Sequence, residues 1–123
     1  MGEVLFTTAE ALEAARRAAD RRYLEFLRVP DLSAGLYVLD AGAADPQSPH
    51  GEDEIYVVQA GAATVVTDSG TAEVGPGSVI FVPAGEQHRF TGVRGDLSLL
   101  VVFAPPYGSR PAVENPAPAP TSP

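Results

Sequence analysis

Residues 36–103 are a succession of short β-rich runs cut repeatedly by glycine and proline, and this punctuation constrains the fold more than any other feature of the chain. A helix needs about ten or more residues free of such breakers to bury an apolar stripe, whereas a strand needs only about five. The runs fall at 36–40, 54–59, 63–68, 71–74, 78–82, 88–92 and 97–103. Between them stand Ala60-Gly61, Asp68-Ser69-Gly70, Gly75-Pro76-Gly77, Pro83-Ala84-Gly85 and the stretch 92–95, all turn signals. Many short strands at about ten-residue spacing predict an all-β sandwich or barrel.

The flanks read differently. Leu12, Ala15, Ala19, Tyr23 and Phe26 recur at spacings of three and four, which predicts a helix over 8–28 with one apolar stripe. Thr7 with Glu10 three residues on resembles a capping box at its start. Pro30 ends it, because proline disfavours helical geometry in the residue before it. Arg16, Arg17, Arg21 and Arg22 lie opposite the stripe and read as a solvated face. Val4, Leu5 and Phe6 read as an added edge strand. The C-terminal "PPYGSRPAVENPAPAPTSP" has almost nothing to bury, so it is expected to be extended and mobile, with no chemistry. The expected organisation is therefore a strand and helix over 1–30 packed on a barrel of 31–104, followed by a tail of 105–123.

A chain of 123 residues can bury a self-sufficient core. It has no cysteine, so disulfides and thiolate metal sites are excluded and any metal must be held by nitrogen and oxygen. That composition fits a reducing cytoplasm. The longest apolar stretch, 99–106, is too short to cross a bilayer, and the N-terminus lacks the pattern of a signal peptide. A soluble, cytoplasmic protein with no membrane partner is expected. The net charge of −8 sits in the middle: residues 31–104 hold ten acids against Arg89 and Arg94, while 1–30 holds five of each sign and 105–123 one of each. Such a segment repels phosphate backbones, so nucleic acid is not an expected partner. All basic residues are arginine, which rules out a Schiff-base lysine.

Against this background the stretch "SPHGEDEIYVVQAG", 48–61, poses a problem, because His50, Glu52, Asp53 and Glu54 adjoin a run that reads as a buried strand. Period-two alternation puts Glu54, Tyr56 and Val58 on one face with Ile55, Val57 and Gln59 on the other, and both faces are largely apolar. A carboxylate turned inward needs a compensating partner. The only two histidines, His50 and His88, each fall at a strand edge, and a divalent cation bound by both imidazoles and Glu54 would supply that partner. The plain alternatives are an exposed turn histidine at 50, a surface acid at 54 and a core imidazole at 88. Tyr56, Phe81 and Phe90 read as core in the first instance, and Glu52 and Asp53 as turn acids.

These residues carry a resemblance. The first cupin motif runs Gly, five residues, His-x-His, three or four residues, Glu, six residues, Gly. Gly42, His50, Glu54 and Gly61 match it in register. The second runs Gly, five, Pro-x-Gly, two, His, three, Asn, and Gly77, Pro83, Gly85 and His88 match it. Over residues 35–104 the chain thus resembles a small single-domain cupin, which implies a jelly-roll barrel of short antiparallel strands. Two positions depart from the pattern: Ser48 stands where the first histidine belongs and Gly92 where the asparagine belongs.

The resemblance, so amended, implies one divalent ion per chain on His50, Glu54 and His88, with Gln47, Ser48, Glu52 or water completing the shell. Two histidines and a carboxylate with open positions are the arrangement of non-haem iron(II) oxygenases, so Fe2+ is favoured over Mn2+, Zn2+, Ni2+ or Cu2+. The implied function is a metal-dependent enzyme acting on a small organic molecule in the barrel, dioxygenase-like first and isomerase or lyase second, with Tyr56 or Glu52 as proton-transfer group. A non-catalytic module that binds a small ligand or metal is the alternative, since one fold hosts many activities. A homodimer is expected, because an apolar outer sheet face and the strand at 99–103 suit burial against a second copy.

Overall fold

Where the apolar spacing predicts one long helix, the chain forms a short helix and then a strand. The computed structural model describes residues 4–45 and 50–110, which order as α1 Ala9–Ala19, β1 Tyr23–Val29, β2 Leu32–Leu39, β3 Asp53–Thr67, β4 Gly70–Val74, β5 Val79–Val82 and β6 His88–Ala104. Gln47 and Ser48, and the tail from 111 on, lie outside the described residues.

The helix stops at Ala19 because Asp20 turns left-handed, with φ 54°. The amides of Asp20 and Arg21 then bond back to the carbonyls of Arg17 and Arg16, closing the last turn. Its N-cap is Thr8, one residue later than expected, and the Thr8 hydroxyl accepts from the Ala11 amide at 3.0 Å. Val4, Leu5 and Phe6 form no strand and stay exposed. Arg16 is not simply solvated: its guanidinium makes a two-pronged pair with Glu13 at 2.8 Å and donates to the Arg21 carbonyl.

In β1, the residues that seemed to prolong the helical stripe point to opposite faces of a sheet. Tyr23 turns inward towards Tyr37, and Phe26 turns outward beneath the helix. Pro30 and Asp31 form the two-residue turn of a β1–β2 hairpin, in which Val29 faces Leu32. Gly35 of β2 leaves room for the Tyr23 ring, since a Cβ there would stand 2.3 Å from it. The outer face of β2 presents Leu36 and Val38 to Leu12 of the helix.

Two expected pairs of strands prove to be one strand each. β3 joins 54–59 to 63–68, and β6 joins 88–92 to 97–103. At Ala60-Gly61 the β3–β6 ladder slips register instead of turning. Gly61 has φ +78°, and a Cβ on it would lie 2.4 Å from the Asp96 carbonyl, so only glycine fits this crossing. Beyond the irregularity β3 changes partners, pairing with β5 before it and β4 after it while β6 runs alongside throughout.

The strand order is β1-β2-β6-β3-β4, with β5 also on β3. The expected jelly-roll of antiparallel strands is thus present, and because among the described residues β1 and β4 each have one ladder neighbour, its sheet does not close on itself. Its concave side holds the core: Tyr37, Leu39, Tyr56, Val58, Val65, Phe90, Leu97, Leu99, Val101 and Phe103. Tyr56 and Phe90 are core as read, but Phe81 is 59% exposed on the convex side. Among the described residues no helix is long and apolar enough to cross a membrane.

Candidate metal centre

The two ends of the concave side are brought together by the Pro83-Ala84-Gly85 turn. Gly85 has φ +87°, a conformation glycine adopts freely, and its amide donates to the His50 carbonyl at 2.8 Å. The Ala84 amide donates to the Asp53 carboxylate at 2.9 Å, so one turn is fixed to both sides of the 50–54 stretch. Three residues after Gly85 the chain enters β6 with His88 turned inward. Glu54 enters from β3 on the same side as Tyr56 and Val58, in register with Val82 and Phe103.

His50, Glu54 and His88 converge. Each offers a ligand atom, and the three atoms lie within 4.8 Å of one another. All three residues are buried, at 7%, 1% and 4% exposure. Nδ1 of His88 lies 3.1 Å from the Glu86 carbonyl. A carbonyl only accepts, so Nδ1 carries a proton and Nε2 is directed at the cluster. There Nε2 is 3.0 Å from Glu54 Oε1 and 3.1 Å from the Tyr56 hydroxyl.

This is a costly arrangement without a cation. Burial pushes the Glu54 carboxyl above the usual carboxylate range, against the hydrogen bonds of His88 and Tyr56. His50 is lowered to about 4, first by burial and then by the charge of His88. For His88 burial alone would lower the imidazole, but the hydrogen bond and charge of Glu54 outweigh it and the net direction is up. Nε2 of His50 is buried without a hydrogen-bond partner, and the two buried Glu54 oxygens have only the His88 imidazole and the Tyr56 hydroxyl against them. Three unpartnered or ion-paired nitrogen and oxygen donors facing one point suit a divalent ion, and the residues fit the group.

The remaining site residues fall out as follows. Tyr56 is fully buried beside His88. Glu52 is buried at 2% exposure, but its Oε2 accepts from the Arg110 amide at 2.9 Å and it is not one of the converging three. Asp45, which the sequence did not single out, is buried; it accepts from the Tyr37 hydroxyl at 2.7 Å and from the Phe90 amide at 2.8 Å. It thereby ties the segment after β2 to the strand that carries His88. Tyr23 and Tyr107 were missed as well. With Phe103 they form an aromatic wall beside His50, whose ring is 5.6 Å from Phe103 and 5.5 Å from Tyr107 by centroids. Asp45 lies in no periodic run and Tyr107 in a stretch with a loop composition, so neither carried a local signal.

The profile of the cupin domain matches residues 35–103. An uncharacterised protein of Streptomyces coelicolor is 50% identical over 97 residues, 79% of this chain and 92% of that one. Among solved structures, KdgF from a Halomonas species aligns with a TM-score of 0.63 at 25% identity, covering 68% of this chain and 76% of that one. A protein from Thermus thermophilus aligns with a TM-score of 0.60 at 28% identity, covering 69% and 85%.

Proposed function

Because the chain belongs to the cupin family, we propose that His50, Glu54 and His88 hold one divalent cation and that the concave side acts on a small organic molecule, with oxygenation as the leading chemistry. The observation that carries this reading is the convergence of three buried donors within 4.8 Å of one another, with Nε2 of His50 left without any other partner. Two imidazoles and one carboxylate with free positions favour Fe2+, with Mn2+, Zn2+, Ni2+ and Cu2+ behind it. When bound, such an ion supplies Lewis acidity and redox capacity.

The chain supplies the rest. Glu86 fixes the His88 ring through Nδ1, and a ring so fixed keeps Nε2 on target. The Tyr56 hydroxyl, 3.1 Å from Nε2, holds a proton next to the site and is the leading proton-transfer group. Glu52 is the second candidate, once released from Arg110. Phe103, Tyr107 and Tyr23 keep bulk water from His50. The near-complete burial of the three ligands favours one other reading, a module that holds a metal or small ligand without turnover. Isomerase or lyase chemistry stands behind both.

Protein purified without chelator should carry close to one metal per chain, and His88→Ala should lose most of it; metal retained in that variant would overturn the ligand assignment. Oxygen uptake by iron-loaded protein against enols, catechols, flavonols and thiols separates the enzyme from the binder. Flat traces across the whole panel would reject the oxygenase reading.

A further inference from the structure

The segment after β6 does what its composition does not suggest. The Tyr107 amide donates to the hydroxyl of buried Ser33 at 2.9 Å, which draws the chain back across the concave mouth. Gly108, with φ +81°, and the bond from the Ser109 amide to the Pro106 carbonyl then turn the segment. At its end the Arg110 amide donates to Glu52 Oε2 at 2.9 Å, and the guanidinium reaches the Gly51 carbonyl at 3.4 Å. Between these anchors the Tyr107 ring sits 5.5 Å from His50, 4.8 Å from Phe103 and 6.2 Å from Tyr23.

An ion or substrate has to displace something to reach ligands this buried. β3 and β6 are bound to each other and to further strands by long ladders, whereas residues 105–110 are held across the chain by the bonds to Ser33, Glu52 and Gly51 and by aromatic contact. Segments with few backbone bonds open at the lowest free energy. We propose that residues 105–110 are a displaceable cover of the site, latched by Glu52 on the Arg110 amide, with Tyr107 the part that must leave His50 for a ligand to enter.

The cover also says what the space beneath it accepts. Withdrawing Tyr107 uncovers Tyr23 and Phe103 beside His50. The Tyr23 hydroxyl is buried and has no hydrogen-bond partner among the described residues, whereas the Tyr37 hydroxyl is already bonded to Asp45. Aromatic walls with one unused hydroxyl suit a small, flat organic molecule carrying one hydrogen-bonding substituent. A phenol is such a molecule, and it is also the group that Tyr107 itself places there.

The cover acts on the site proposed above and rests on that reading, but its test uses metal-free, full-length protein. Diethyl pyrocarbonate modifies accessible imidazoles, and mass spectrometry reads the rates at His50 and His88 separately. Tyr107→Ala should raise the His50 rate about tenfold or more, as expected when a local opening step is removed. Added p-cresol, the missing side chain, should bring it back down. Glu52→Ala should raise it severalfold with the ring intact. Unchanged His50 rates in both variants overturn the proposal. Should Tyr107→Ala fail to fold, Glu52→Ala and amide exchange of the unmutated protein decide. The Tyr107 and Arg110 amides must exchange faster than those of Val101 and Phe103, and equal protection overturns the cover. Protein that binds no metal yet shows these rates keeps the cover and loses the metal reading.

Discussion

The amide of Gly85 donates to the carbonyl of His50 at 2.8 Å, so the turn that launches the strand bearing one histidine also clamps the backbone of the other. Two motifs distant along the chain are thereby one mechanical unit. The spacing of Pro83, Gly85 and His88 sets where the second imidazole enters, and the Gly85 bond sets where the first one starts.

Gly85→Ala tests that unit. At φ +87° a Cβ costs about 1–2 kcal/mol, and the strain falls on the bond to His50. Denaturant unfolding should show a loss of that size, and metal content after dialysis should fall with it. Gly61→Ala should be far worse, because the added methyl would sit 2.4 Å from the Asp96 carbonyl and neither backbone can give way. A Gly85→Ala protein with undiminished stability and metal content would show that the clamp does not matter.

Acid should weaken the metal-free protein through His50. Its folded-state pKa is about 4 against an ordinary 6.5, so between those values the unfolded chain takes up the proton and the folded one does not. Stability from this group is therefore intact above about 6.5 and falls as pH drops towards 4, by at most about 3 kcal/mol. Glu54 and His88 work the other way, since both are raised and the native state takes up their protons first. Removing His50 isolates its share: the stability difference between wild type and His50→Leu, measured by denaturant melts in chelator, should shrink between pH 7 and pH 4. A constant difference would mean that His50 titrates as if solvated.

The convergence of His50, Glu54 and His88 was legible because it rests on local rules. Strand alternation places Glu54 with Tyr56 and Val58, and a proline-glycine turn three residues before His88 aims the next strand. What was hidden depended on partners far along the chain. Tyr23 and Phe26 are spaced as a helix would have them, yet the same spacing puts them on opposite faces of a strand. The choice was made by the left-handed Asp20 and by the gap that Gly35 leaves for the Tyr23 ring. Gly61, Gly92 and Gly95 read as turn residues, but with a second long strand alongside they bend a continuous ladder. Tyr107 was hidden by its proline-rich surroundings, since what holds it is Ser33, His50 and Phe103, all distant or unsignalled in its own stretch.

The convex face predicts the oligomer. Val79 is 67% and Phe81 59% exposed, Ile55 lies beside Phe81 in the ladder, and Val4, Leu5 and Phe6 are bare as well. Large apolar side chains left bare in this way mark surfaces that bury themselves against a partner. A second copy is the proposed occupant. Light scattering should give the dimer mass for wild type and the monomer mass for Val79→Lys with Phe81→Lys. A monomeric wild type would reject the homodimer.

Glu54 yields the sharpest test, because its effect should change sign with the metal. In the metal-free protein a carboxylate at 1% exposure is opposed by burial, and losing its charge relieves that cost. Glu54→Gln keeps the shape, so in chelator the variant should be more stable than wild type, by about 1–3 kcal/mol. With a divalent ion present the order should reverse, because an ion that binds only the folded state stabilises it in proportion to its affinity, and an amide is the poorer ligand. Thermal melts of both proteins with chelator and with added Fe2+ or Mn2+ read the two differences directly. Glu54→Gln less stable in both conditions would mean that the carboxylate is a structural partner of His88 and no ligand. Equal responses of the two proteins to every ion would mean that the cluster holds none.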